Sequence, residues 1–134
     1  MRKFGLIAIV LLEACAPNGI RPLRPFEIAT APYHSGNIQS LVGSLMYESG
    51  CLLFRNEDGS TQLLPVWPSG SKFEESLVTF HRPAKSDQRV VIGEEIRIDG
   101  QPGDWSALDN RDFERFRHQC RAEPFFVSGV TPAN

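Results

Sequence analysis

Several patterns that mark common protein functions are missing from this chain of 134 residues. Its most apolar run, residues 4–12, is shorter than the roughly twenty residues that a membrane-spanning helix needs. The formal net charge of −2 gives no broad basic surface for nucleic acid. No Cys-x-x-Cys, no Gly-x-Ser-x-Gly and no phosphate-binding glycine loop occur. We therefore expect no nucleic-acid partner and none of the enzyme classes that these motifs mark.

Patterns for metal and acid–base chemistry are also missing. The three histidines do not lie at His-x₃-His spacing, so we expect no metal. The adjacent acidic pairs at 74–75 and 94–95 would point to opposite faces of a strand and form no dyad. We expect no catalytic residue and no cofactor. The alternative is a small envelope enzyme whose site is assembled from scattered residues such as Glu74, Asp104 and His118.

The N-terminal residues have the pattern of an export signal. Arg2 and Lys3 form a positive n-region before the apolar h-region 4–12. Because this region is too short to cross a bilayer, we interpret residues 1–14 as a cleaved signal peptide rather than an anchor. A cytoplasmic protein with a buried N-terminal helix is the alternative to export.

The tetrapeptide Leu12-Glu13-Ala14-Cys15 resembles the lipobox of bacterial lipoproteins. The resemblance implies cleavage just before Cys15 and a lipid on its sulfur, so that the membrane is a partner. Glu13 departs from the pattern, which usually has a small or apolar residue there. Ala16 is not the Asp that retains Gram-negative lipoproteins at the inner membrane, so the resemblance implies the outer membrane, facing the periplasm, in such a bacterium.

An ordinary secretory signal is a second interpretation of the same residues. Ala14-Cys15-Ala16 fits a small-x-small cleavage site. Cleavage after Ala16 would remove Cys15 and leave a free periplasmic or secreted protein.

Residues 15–36 are predicted to form a flexible tether that begins with the lipidated Cys15. The segment has no apolar period and contains four prolines, which fix φ and remove hydrogen-bond donors. It would act as a semi-extended spacer between lipid and domain. A disordered N-terminus without a role would have the same sequence features.

Residues 50–68 predict a β-hairpin around which the folded part, residues 37–130, is organised. Two apolar runs, 52–54 and 63–67, flank a turn that contains Asp58-Gly59, a strong hairpin signal. Further short runs, separated by Gly and Pro turns, predict five to seven strands in all. A small β-barrel is favoured because it leaves few exposed strand edges. Residues 131–134 are predicted to be a frayed tail.

One short C-terminal helix is predicted from about residue 110 to 119, with Asp109 as its cap. Phe113, Phe116 and Cys120 would share one face of it. Once Cys15 is lipidated or removed, Cys51 and Cys120 remain, and export to an oxidising compartment favours a disulfide between them. Two separate buried thiols are the alternative.

The mature part also resembles uncharacterised small exported bacterial domains with an OB-like barrel. The resemblance rests on the spacing of Gly50-Cys51-Leu52, of 64–68 (Leu-Pro-Val-Trp-Pro) and of 90–96 (Val-x-x-Gly-x-x-Ile). It implies a fold and no activity.

Two tryptophans and two arginines form a candidate binding surface. Trp67 and Trp105 could provide a stacking platform, as OB-folds use for sugars or bases, although a Trp in such an apolar run is typically core. Arg115 and Arg117 could bind an anion, or belong to a solvated helix face. We expect a membrane-tethered envelope lipoprotein, a non-catalytic binding or structural module with an envelope protein or a glycan as its partner. This expectation has two alternatives: the small envelope enzyme described above, and an oligosaccharide-binding OB-type domain.

Overall fold

A computed structural model describes residues 19–34, 39–105 and 111–133. The predicted signal peptide 1–14, Cys15 and the predicted helix cap Asp109 lie outside these residues. The described residues form nine strands and one helix. Their order is β1 Ala29–Ala31, β2 Gln39–Glu48, β3 Cys51–Asn56, β4 Gln62–Pro68, β5 Lys72–Glu74, β6 Leu77–Phe80, β7 Gln88–Val91, β8 Ile96–Pro102, α1 Arg111–Cys120 and β9 Glu123–Pro132.

The prediction of a mainly β chain with one short helix near the C-terminus is confirmed, but the predicted five to seven strands are too few. One additional strand, β1, comes from the proline-rich segment. Another arises because Glu75 adopts a left-handed φ of 54°, which turns the chain between β5 and β6. The sequence alone predicts a single short strand in this region, because a turn made by one polar residue does not stand out in the pattern of apolar residues.

The predicted hairpin is present as the antiparallel pair β3–β4, with Phe54 opposite Leu63. Its turn is held by Asn56, whose Oδ1 accepts a hydrogen bond of 2.9 Å from Thr61 N. Gly59 takes a left-handed φ of 73°, which favours glycine there. This is the turn chemistry that the sequence indicates.

Strand pairing connects five of the strands in the cyclic order β2-β3-β4-β9-β8 and back to β2. Neighbours are antiparallel except β4 and β9, which are parallel.

Two glycines lie at close approaches between neighbouring strands. A Cβ on Gly43 would lie 2.0 Å from Arg55 O, and one on Gly100 would lie 1.9 Å from Phe126 O. Strand β2 changes partner from β8 to β3 at Gly43, so the missing side chain allows both neighbours to approach.

Two apolar clusters form on opposite faces of β3 and β4. The side chains of β3 alternate between the two clusters. Leu52 and Phe54 belong to the first cluster, and Cys51 and Leu53 belong to the second. The first cluster also contains Trp67 and residues of the separate three-stranded sheet β5-β6-β7. The second is covered by α1 and β1. Burial on both faces explains why β3 and β4 are continuous apolar runs.

The predicted tether 15–36 is not free of regular structure. β1 pairs in parallel with β4, Ala29 opposite Val66, and its Ala29 and Ala31 side chains are buried in the second cluster. Prolines at 25 and 32 flank this strand rather than interrupt it, so its backbone donors remain available.

The predicted frayed tail is also wrong for residues 131–133. Thr131 pairs with Arg97, and Pro132 with Ile96, so β9 continues as far as the first residue of β8. The N–H of Ala133 donates to Glu95 O at 3.4 Å. Among the described residues, no helix has the length and apolarity to cross a membrane.

Candidate functional site

Helix α1 is placed by its apolar face and by one covalent bond. Phe113, Phe116 and Cys120 are buried in the second cluster, as their spacing predicts. Cys120 is bonded to Cys51 at the start of β3, with the sulfurs 2.10 Å and the Cα atoms 5.7 Å apart. The predicted disulfide is thus confirmed, and it holds the last turn of α1 against the hairpin. The opposite face of the helix is therefore exposed.

The N-terminal segment 20–27, called the strap below, lies along α1. Arg115 holds it through two hydrogen bonds to the Glu27 carboxylate, from Nη1 at 2.8 Å and from Nη2 at 2.5 Å. Its guanidinium also donates to the carbonyl oxygens of Arg21 and Pro22, at 3.2 and 3.3 Å. One helix side chain therefore contacts three residues of the strap. Because the planar guanidinium presents donors in a fixed fork, it can hold carboxylate and backbone at once.

The pKa of Glu27 reflects this environment. Partial burial of the carboxylate acts to raise the pKa, but the hydrogen bond from Arg115, the one from Arg24 N and the positive charges of both arginines lower it below its ordinary value. Glu27 is therefore ionised at neutral pH and forms an ion pair with Arg115.

Gln119 provides a second connection one turn further along α1. Its Oε1 accepts a hydrogen bond from Leu23 N at 2.9 Å, and its Nε2 donates to Ser49 O at 3.1 Å. The amide thus joins the strap to the turn between β2 and β3. With Arg115 it fixes where the strap lies on the domain.

A cleft of about 650 Å³ opens between the strap and the first turns of α1. A second cleft of about 310 Å³ continues along the helix. They share Ile20 and Glu114, so they form one surface. We call this surface the arginine face. Its five exposed arginines are Arg21, Arg24, Arg111, Arg117 and Arg121.

Charge is distributed unevenly over the described residues. Segments 19–34 and 111–121 together have six arginines and three carboxylates. Residues 39–105 have six cations but ten carboxylates. The small net charge of the chain therefore combines an excess of arginines in the strap and helix with an excess of carboxylates in residues 39–105.

The predicted binding surface of two tryptophans and two arginines is not one surface in the structure. Trp67 is 1% exposed and packs edge-on against Phe80 in the first cluster, so it offers no stacking platform. Trp105 is half-buried beside the second cluster, and its Nε1–H donates to Ala122 O at 3.0 Å. Arg115 binds the strap, whereas Arg117 is exposed on the arginine face.

The scattered residues of the enzyme alternative lie on different elements. Glu74 is in β5, Asp104 follows β8, and His118 is on α1. The cleft that His118 lines contains neither of the other two. Across residues 19–34, 39–105 and 111–133, no three His, Cys, Asp or Glu side chains are grouped as metal ligands.

Another cleft, of about 590 Å³, lies beside the β3–β4 turn. Its charged residues are of both signs: Arg55, Glu57, Asp58 and Glu95. Arg55 lies 3.8 Å from Glu48 and donates to Gln62, while hydrogen bonds from Ser60 lower the pKa of Asp58. Three of these four charged residues are carboxylates, and Arg55 and Asp58 are already bonded to neighbours outside the cleft lining. The arginine face, with five exposed guanidinium groups, is the better candidate site.

Sequence reasoning indicates Arg117 of the arginine face as a candidate binding residue but misses the residues that position the strap beside it. Glu27, Gln119, Arg21 and Arg24 were not singled out, because the strap was expected to be a spacer. One available signal was the single carboxylate at position 27 among the arginines of a proline-rich segment.

Comparisons of the chain with protein-family models, with curated proteins and with solved structures found no match. Its function therefore has to be understood from its own residues.

Proposed function

We propose that this protein is an exported cell-envelope lipoprotein, anchored to a membrane by a lipid on Cys15, whose folded part is a non-catalytic binding or structural module. The observation that supports it most strongly is Leu12-Glu13-Ala14-Cys15 directly after a positive n-region and an apolar h-region. A disulfide between Cys51 and Cys120 fits an oxidising compartment outside the cytoplasm. In a Gram-negative bacterium, Ala16 favours the outer membrane.

The folded part is, in this proposal, an OB-like barrel. An OB-fold is a five-stranded Greek-key barrel. The cyclic order β2-β3-β4-β9-β8 and the parallel β4–β9 pair support this assignment. The three-stranded sheet β5-β6-β7 would then be an insertion between the third and fourth barrel strands.

The OB assignment bears on the oligosaccharide-binding alternative. OB-folds bind such ligands on the face of their second and third strands, which here would be β3 and β4. The outward residues of these strands pack against α1 and β1 in the second cluster. A ligand on that face would have to displace both elements, one of which is held by the disulfide. This favours an interaction through another surface.

Intact mass spectrometry of detergent-extracted protein tests the lipid anchor. We expect a mature chain that begins at Cys15, with the added mass of acyl chains. Cys15→Ala should leave the precursor uncut or move the protein to the soluble fraction. Cys51→Ala with Cys120→Ala is the matched control, since it replaces the other two cysteines without touching the lipobox. A mature N-terminus at Pro17 without lipid would instead establish an ordinary secretory signal.

A further inference from the structure

The strap limits how far the folded domain can lie from a lipid on Cys15. A spacer over residues 16–35 could reach about 65 Å when fully extended. The structure instead binds residues 21–27 to α1 through Arg115 and Gln119. Only four peptide units separate Cys15 from Gly19, the first described residue, which directly precedes the strap. These units span at most about 14 Å. This step rests on the proposed lipid anchor.

The strap also determines which side of the domain faces the membrane. Gly19 and Ile20 line the clefts of the arginine face, so a lipidated chain would leave the domain there. With so short a connection, the arginine face is the side held nearest the headgroups. Residues 39–105, which have the excess of carboxylates, contribute no side chain to the lining of these clefts.

The chemistry of this face suits anionic phospholipids. Five exposed guanidinium groups surround the clefts, and only Asp112 and Glu114 are acidic among the residues that line them. Guanidinium groups bind phosphate oxygens through paired hydrogen bonds. Each basic residue near an anionic bilayer adds about 1 kcal/mol of attraction, which decays within a Debye length of about 10 Å. The connection of at most about 14 Å leads from the lipid to Gly19. Gly19 lines the same cleft as Arg21, Arg24 and Arg111, so these arginines would be held on the side of the domain that is closest to the headgroups.

We propose that the arginine face docks on the anionic phospholipid headgroups of the membrane that holds the anchor. The lipid supplies attachment and the arginines supply orientation, with α1 lying at the bilayer surface. The acidic remainder of the domain then projects away from the membrane.

The test uses the processed chain, residues 15–134, with Cys15→Ser so that no lipid is attached. Its co-sedimentation is measured with vesicles of phosphatidylcholine containing about 30% phosphatidylglycerol, and with pure phosphatidylcholine. We expect binding only to the anionic vesicles, and loss of binding when salt is raised from about 0.05 to 0.3 M.

Two triple variants with the same change in net charge locate the binding surface. Arg21→Gln, Arg117→Gln and Arg121→Gln remove cations of the arginine face. Lys72→Gln, Lys85→Gln and Arg89→Gln remove exposed cations from the three-stranded sheet and its loop. We expect the first triple to weaken binding roughly 100-fold and the second to change it by less than about threefold. All six residues are exposed, so both variants should fold, which circular dichroism would check.

Equal losses in both triples, or no binding of the parent chain to anionic vesicles, would overturn the proposal. Retention on a soluble polyanion without binding to vesicles would also overturn it, in favour of an acidic soluble partner. Because the chain in this assay bears no lipid, its result is independent of the mass of the mature protein. The proposal of the lipid anchor and the proposal of the docking face can therefore be disproved independently of each other.

Discussion

At the scale of single residues, the ion pair between Arg115 and Glu27 decides where the N-terminal segment lies. Both side chains are largely buried, 18% and 22% exposed, so their interaction is screened less than a surface pair. Arg115 also satisfies backbone carbonyl groups of the strap. Loss of the carboxylate would leave a partly buried guanidinium without its main partner, which is costly.

Glu27→Gln should lower the free energy of unfolding by about 1–2 kcal/mol at pH 7. The folded-state pKa of Glu27 lies below the ordinary value of 4.5. Its ionised form therefore stabilises the fold fully above that value, and the contribution is lost as pH falls through the lowered pKa. Denaturant titrations should show the difference from the parent protein at pH 7 and its decline below about pH 4.

The exposed carboxylate of Glu74 in β5 provides the control. Glu74→Gln should change the stability by less than about 0.5 kcal/mol at either pH. If Glu27→Gln and this control have the same unfolding free energy at pH 7, the ion pair between Arg115 and Glu27 does not hold the strap.

The partner of Cys120 could be predicted from the sequence, whereas the partner of Glu27 could not. The disulfide followed from a short count of cysteines and from the helical spacing of Phe113, Phe116 and Cys120. Glu27 could not be paired in advance with Arg115, which lies 88 residues away, because charged residues have many alternative partners. Trp67 was likewise ambiguous, since an apolar run does not say which of its faces is covered.

At the scale of elements, α1 and β1 cover the outward face of β3 and β4 by different means. The helix is bonded covalently to β3 by the disulfide, whereas β1 is held by parallel pairing with β4 and by two small buried alanines. β3 and β4 were predicted because their apolar runs are continuous. β1 was not, because three residues with two alanines give no periodic signal among prolines.

Reduction of the disulfide should lower the melting temperature by roughly 10–15 °C. The bond joins residues 69 positions apart, for which chain entropy predicts roughly 4 kcal/mol of stabilisation. Thermal unfolding with and without a reductant measures the effect. The Cys51→Ala, Cys120→Ala double variant should melt at the lower temperature and not respond to reductant. A parent protein whose melting does not respond to reductant would contradict this assignment.

At the scale of the whole molecule, the folded unit is longer than the predicted domain 37–130 at both ends. Residues 21–31 belong to it through the strap and β1, and β9 continues to Pro132. The sequence reveals the mainly β class because apolar alternation is local. It does not reveal the pairing of β1 with β4, since that contact forms between distant residues and depends on the finished sheet.

A chain that begins at residue 39 should melt at least roughly 10 °C below one that begins at residue 19. The shorter chain loses β1, the Glu27 partner of Arg115, and the cover over part of the second cluster. The exposed edge of β4 should also increase aggregation, which light scattering would detect. Equal melting temperatures for the two chains would mean that the segment is a spacer after all.

The long separation between the strap and its partners has a consequence for biogenesis. A chain exported from its N-terminus delivers residues 20–31 before β4, and well before Arg115, whose partner Glu27 precedes it by 88 residues. β1 can therefore pair only after about half of the chain has followed, and the strap can bind Arg115 only after nearly all of it has. If the chain is processed as we propose, the enzymes that trim or acylate the new N-terminus would meet an unbound segment during this interval. In the proposed lipoprotein, closure of the strap would follow these processing steps, and the segment next to the processed N-terminus would then become part of the folded surface.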